Sequence, residues 1–153
     1  MARGGAVRVF QRVLHPSDFS AASRPAFRKA LDLARAGRAQ LLIVHVLPVL
    51  PLLPEVYIAT TTHHELLRGQ RLSAQKQLDR LVRHARAAGL DTQGILIAFG
   101  VPADRITRLA KARRADVIVM GTHGRTGIRR ALLGSVASRV VATAPCPVLT
   151  VHA

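Results

Sequence analysis

The stretch of this chain best suited to chemistry is Gly121-Thr122-His123-Gly124, followed after nine residues by Gly134-Ser135. Glycine lets backbone N–H groups come close to an oxyanion, and a glycine that opens a helix aims the helix's partial positive charge at the same point. Ser135 adds a hydroxyl donor, and Arg125, Arg129 and Arg130 add positive charge nearby. This is equipment for phosphate. Glycine content alone suits a plain strand-to-helix turn equally well. Two familiar phosphate loops are absent. No Gly-Lys pair occurs, which excludes a Walker A loop, and the first turn, His15 to Ser20, has no glycine, which excludes the dinucleotide fingerprint.

Other reactive side chains carry less. His63-His64-Glu65 has metal-ligating residue types, but adjacent histidines point apart on a helix, so a solvated face is the simpler reading. His45 sits in an apolar run and reads as a hydrogen-bonded core residue rather than a base. Cys146 is the single cysteine, which excludes an internal disulfide and a cysteine-built metal site; its apolar neighbours make it a buried structural thiol. Arg80, Arg83 and Arg86 form a basic stripe at helical spacing, either a solvated face or a contact for a nucleic-acid backbone.

These groups need elements to place them, and the hydropathy pattern supplies an alternation. Val7 to Leu14 reads as a first strand, ended by the turn signal His15-Pro16-Ser17-Asp18. A helix follows, with Ser23 as cap, Pro25 in its first turn and Phe27, Ala30, Leu31 and Ala34 on one face; Gly37 should end it. Leu41 to Val46 is continuously apolar, as in a strand buried on both faces. Leu47 to Tyr57 holds three prolines and reads as a loop. A long helix is expected from about Thr61 to Ala88, stopped by Gly89, then a strand at Gly94 to Phe99 and a helix at Ala103 to Arg113. A strand at Asp116 to Met120, a glycine-rich loop over Gly121 to Leu133, a helix at Gly134 to Ala144 and a strand at Val148 to Val151 complete the series. Strands alternating with helices imply one open, parallel α/β sheet covered on both faces, with ligands at the ends of the strands.

The 153 residues suit a single domain, and 49% hydrophobic residues supply a core. The net charge of +15 points to an anionic ligand or surface, yet only Lys29, Lys76 and Lys111 are lysines and aromatic residues amount to 3%. A single-strand stacking platform is poorly supplied. Met1 to Ala6 lacks the apolar stretch of a signal peptide, and Leu41 to Leu53 is broken by prolines and too short to span a bilayer. A soluble cytoplasmic protein without a membrane partner is expected.

The spacing Gly-x2-Gly-x9-Gly-Ser after a strand ending Val119-Met120 resembles the universal stress protein family, in its ATP-binding subgroup. The resemblance covers Asp116 to Val151, including Leu132-Leu133-Gly134-Ser135-Val136-Ala137 and Ala144-Pro145-Cys146-Pro147. It extends to Val13 to Ser20, to Leu42 to Val46 and to Gly100-Val101-Pro102, and so to one universal stress protein domain over residues 1–153, with a core of about 7–152. It implies a Rossmann-like five-stranded sheet in the order 3-2-1-4-5 that binds ATP with Mg²⁺. Residue by residue, it implies that Ser17 and Asp18 meet the nucleoside and that the Val46 backbone meets the adenine edge. Met120, Gly121, His123 and Gly124 would then line ribose and phosphates, Gly134, Ser135 and Val136 would form the helix-start phosphate site, and Arg125 would add charge. His15 departs from the apolar residue usual before Pro16, and the 47–57 stretch is too proline-rich for its contacts to be carried over.

The function so implied is nucleotide-dependent sensing or regulation in a stress response. The sequence offers no evident general base beside the γ-phosphate, so at most slow hydrolysis is expected. A slow ATPase and an arginine-driven nucleic-acid module are the alternatives. The last strand, short and apolar, should pair with its copy across a two-fold axis to form a homodimer, an arrangement the resemblance also implies.

Overall fold

Alternating side-chain directions explain why the strands read as unbroken apolar runs. In the central strands, residues 13–15, 41–46 and 117–120 have a helical layer against both faces and are buried whichever way they point. The computed structural model describes residues 10–47, 49, 60–122 and 133–152, apart from the side chains of 60–63. Five strands, β1 (Arg12–Pro16), β2 (Gln40–Val46), β3 (Thr92–Ile97), β4 (Val117–Gly121) and β5 (Val148–Val151), form one parallel sheet in the order β3-β2-β1-β4-β5. The helices are α1 (Arg24–Gly37), α2 (Thr60–Ala87), α3 (Pro102–Arg113) and α4 (Ser135–Thr143). The open parallel architecture and the strand order are as expected.

One face of the sheet sends Val13, Leu41, Ile43, Val117 and Val119 against Phe27 and Leu31 of α1 and Leu78 and Val82 of α2. The other sends Leu14, Leu42, Val44, Ile118 and Met120 against Ile106 and Ala110 of α3 and Ala137 and Val140 of α4. The chain reverses its winding between β1 and β4, which opens a crevice at their carboxyl ends.

Several boundaries differ from the sequence reading. The strand expected at 7–14 runs instead from Arg12 to Pro16, because Arg12 to Pro16 pair in register with Gln40 to Val44; residues 7–9 lie outside the described chain. The strand expected at 94–99 begins at Thr92 and ends at Ile97, and Phe99 turns the chain with φ 45°. Gly121 belongs to β4, where it pairs with Val151. α1 ends at Gly37 as expected, but the left-handed cap falls one residue later on Arg38, at φ 50°. Ser23 makes no side-chain capping bond, since a 3-10 turn over Ala21–Ser23 leads directly into the helix and the Ser23 hydroxyl donates back to the Ser20 carbonyl at 2.8 Å. Most of the expected 47–57 loop lies outside the described residues.

Candidate functional site

A cavity of about 320 Å³ occupies the crevice at the carboxyl ends of the strands. From β1 and its turn come Pro16, Ser17 and Asp18; from β2, Val44, His45 and Val46; from the end of β4, Met120, Gly121 and Thr122; and from the start of α4, Gly134, Ser135, Val136 and Ala137. The structure thus brings together Ser17, Asp18, Val46, Met120, Gly121, Gly134, Ser135 and Val136. His123, Gly124 and Arg125 lie outside the described residues.

Local chemistry explains the shape of each wall. Asp18 Oδ1 accepts the N–H of Ser20 at 3.0 Å and its hydroxyl at 2.6 Å, a side chain-closed turn that holds the carboxylate at the cavity. The Ser17 N–H extends the sheet by bonding the Val44 carbonyl at 2.9 Å. Across the crevice the Gly134 N–H bonds the Thr122 carbonyl at 2.7 Å, tying the start of α4 to the end of β4. Among the described residues no side chain caps α4 and no acidic residue sits in its first turn, so the positive end of its dipole lies at the cavity.

Val44, Val46, Pro102, Ile106 and Met120 give the cavity an apolar portion, while Ser17, Asp18, Thr122 and the α4 terminus give it a polar one. An aromatic ring system carrying an anionic tail matches that division. Sequence reasoning missed Thr122, Ser23, Pro102 and Ile106. The signal for the last two was available, since Pro102 opens the helix after β3 and every such helix start in a parallel sheet lies at the ligand-binding edge.

The histidines are placed as core residues. His15 is fully buried, its Nδ1 donates to the Val119 carbonyl at 2.8 Å, and its ring lies against Phe27. Burial pushes its pKa from 6.5 down to about 4. His45 Nδ1 donates to the Ser17 carbonyl at 2.7 Å, beneath the turn that carries Asp18. Cys146 is half-buried rather than fully so, and burial raises its pKa, as for an unreactive thiol. His64 and Glu65 are exposed on α2, and no group of three His, Cys, Asp or Glu forms a metal site among the described residues. Nor is any helix there long and apolar enough to cross a membrane.

The comparisons with known proteins agree with this geometry. Residues 10–152 match the universal stress protein family model. The chain is 34% identical to the universal stress protein MJ0531 of Methanocaldococcus jannaschii over 94% of its own length and 82% of that protein's. Its fold superposes on the universal stress protein UspA from Lactobacillus plantarum with a TM-score of 0.79 at 26% identity, covering 93% of this chain and 97% of the other. A universal stress protein solved in complex with cAMP is similar at TM-score 0.69 and 27% identity, over 94% and 97% of the two chains. Strand order, crevice and sequence converge, and the chain belongs to the universal stress protein family.

Proposed function

We propose that the crevice binds ATP and that the protein works as a nucleotide-dependent sensor or regulator in the cytoplasm. The observation that carries this reading is the N-terminus of α4, capped by no side chain among the described residues, which lies at a cavity with one apolar and one polar part at the β1/β4 switch point. A similar protein held cAMP, which supports an adenine nucleotide as the ligand class. Val46 would meet the base, Asp18 the ribose, and Gly134, Ser135 and Val136 the phosphates, joined by His123, Gly124 and Arg125. Mg²⁺ would arrive with the phosphates, where the Ser135 hydroxyl of the described lining would add an oxygen donor. Regulation fits better than turnover: Asp18 is the carboxylate of the described lining, and its Oδ1 is already held by Ser20.

Calorimetric titration of Gly134→Leu and Asp18→Asn with ATP, adenosine and inorganic triphosphate tests the assignment, with melting temperature as the folding control. Gly134→Leu should weaken ATP and triphosphate. Asp18→Asn should weaken ATP and adenosine by about 1.5–3 kcal/mol, the cost of losing a charged hydrogen-bond partner, and leave triphosphate unchanged. Undiminished ATP binding in both variants would overturn the reading.

We also propose a homodimer through β5. This strand pairs only with β4 in the sheet and exposes Leu149 to 39%. The carbonyls of Pro147 and Val151 face β4, so by alternation the N–H groups of Val148 and Thr150 face outward, open to an antiparallel copy. Sedimentation should show a dimer for the wild type and a monomer for Val148→Pro, Thr150→Pro. A wild type monomeric at micromolar concentration refutes it.

A further inference from the structure

The charge of +15 is not used by the described lining of the nucleotide cavity, which contains no lysine or arginine. Positive charge gathers at the opposite edge of the sheet, where strands begin and helices end. A second cleft there, of about 480 Å³, is lined by Arg12 of β1, Gln40 of β2, Gln93 of β3 and Arg113 and Arg114 at the end of α3. Among the described residues no carboxylate lines it. Two acids border it through hydrogen bonds to neutral donors: Asp116 Oδ2 accepts the N–H groups of Gln11 and Arg12 at 2.7 and 2.8 Å, and Asp91 Oδ2 accepts from Gln40 Nε2 at 3.0 Å. Among the described residues none of the three arginines is ion-paired.

Two of these guanidinium groups are held in place by neutral acceptors. Arg12 Nη1 donates to the Arg113 carbonyl at 3.3 Å, and Arg113 Nη1 to Gln93 Oε1 at 3.4 Å. Helix capping accounts for part of the gathering, since the backbone N–H of Arg114 bonds the Ala110 and Lys111 carbonyls and Arg12 Nη1 the last carbonyl of α3, but it does not use the guanidinium of Arg113, which turns to Gln93. Three guanidinium groups thus converge on one cleft bordered by two carboxylates, and a bound anion would offset the remaining positive charge. The charge continues past the cleft. Arg35 reaches the Ala88 carbonyl at 3.5 Å, Arg86 the Thr92 carbonyl at 3.1 Å, and Arg38 caps α1.

We propose that this cleft binds the sugar-phosphate backbone of a nucleic-acid strand, independently of the nucleotide cavity. Guanidinium forks suit phosphate, and the two carboxamides suit ribose hydroxyls and base edges. A concave cleft admits a strand better than it meets the flat surface of a bilayer. With 3% aromatic residues, stacking contributes little, so recognition is driven by the backbone and tolerant of sequence.

The test is fluorescence anisotropy of a labelled oligouridine RNA with the intact protein over a series of salt concentrations, with and without saturating ATP. Arg113→Gln, Arg114→Gln should weaken binding roughly tenfold or more and reduce the salt slope by about 1.4, at about 0.7 per phosphate contact on a single strand. Arg12→Gln should lower affinity in the same direction, and melting temperatures should not move. Arg80→Gln, Arg83→Gln, on the exposed stripe of α2, should leave affinity within about twofold at moderate salt. The proposal is overturned if RNA does not bind, if the α2 variant loses as much as the cleft variant, or if ATP competes the RNA away. It is also overturned if vesicles containing phosphatidylglycerol, rather than RNA, show the dependence on Arg113 and Arg114.

Discussion

At the carboxyl ends of β1 and β2 the two faces of the sheet are built in opposite ways. On the α3/α4 face, Val44, Val46, Ile106 and Met120 border an open cavity. On the α1/α2 face the space is filled with rings: His15 against Phe27 at 5.5 Å between centroids, and Phe19 against His45 at 4.3 Å. Each imidazole also donates to a carbonyl, His15 to Val119 of β4 and His45 to Ser17. Both acceptors belong to segments that go on to wall the cavity, at Gly121 and Asp18. The filled face therefore fixes the walls of the hollow one from behind. A preformed cavity requires such support, because nothing inside it holds the backbone in place. The support is polar as well as bulky, so pH and packing can each be used to probe it.

The largest expected effect is on stability in acid. His15 is buried and neutral, and its Nε2 has no hydrogen-bond partner among the described residues. In the unfolded chain its pKa is near 6.5, and in the native state it falls to about 4. The unfolded state therefore binds more protons between these values. The native state keeps its full stability above pH 6.5 and loses roughly 3 kcal/mol as the pH falls to about 4, on the usual conversion of about 1.4 kcal/mol per pH unit. Urea denaturation of the wild type and of His15→Leu at pH 7 and pH 4.5 measures this as the difference between their pH dependences. Identical pH dependence in the two proteins would sink the account of a neutral buried His15.

This same face shows where the sequence was legible and where it was not. The helical layers followed from apolar periodicity, because burial on two faces leaves a strong signal in residue type, while the strand order came from the family resemblance alone. His45 was read as a hydrogen-bonded core residue, and the Ser17 carbonyl is its partner. Boundaries were less legible. The 12–16 strand includes His15 and Pro16 because pairing with β2 continues past the apparent turn signal, and pairing partners lie far away in sequence. Arg38 and Arg114 end their helices at φ 50°, a conformation that residue type marks only when glycine supplies it. Gly121, Gly134 and Ser135 of the cavity were legible through their spacing, whereas the hydroxyl residues Ser23 and Thr122 were not. Its apolar portion from α3 left only an indirect signal, since Pro102 and Ile106 look like ordinary helix residues unless the parallel topology is used to place the start of α3 at the cavity.

Smaller effects of opposite sign separate the packed and unpacked parts of the helical layer on this face. A Cβ on Gly94 of β3 would sit 2.8 Å from Val82 Cγ2 and 3.1 Å from Leu78 Cγ, so α2 lies against bare backbone there. Both neighbours are core side chains, and Leu78 is 1% exposed, so neither can swing away. Gly94→Ala should destabilise by about 1–3 kcal/mol, the usual cost of overpacking. Adding Val82→Ala should cost less than the two single losses combined, because the clash is removed. Gly69 lies earlier on the same helix, with nothing within 4 Å of its would-be Cβ; the described residues from His64 to Ser73 are exposed or half-buried, and Ala74 is the first buried one. There only the backbone entropy of glycine matters, so Gly69→Ala should stabilise by up to about 1 kcal/mol and raise Tm by roughly 2–4 °C. Differential scanning calorimetry of the two single variants reads both signs in one experiment. If Gly94→Ala is neutral, α2 is not pressed against β3; if Gly69→Ala is neutral, the first turns of α2 melt before the rest, and the support that this face gives the cavity comes from its later turns alone.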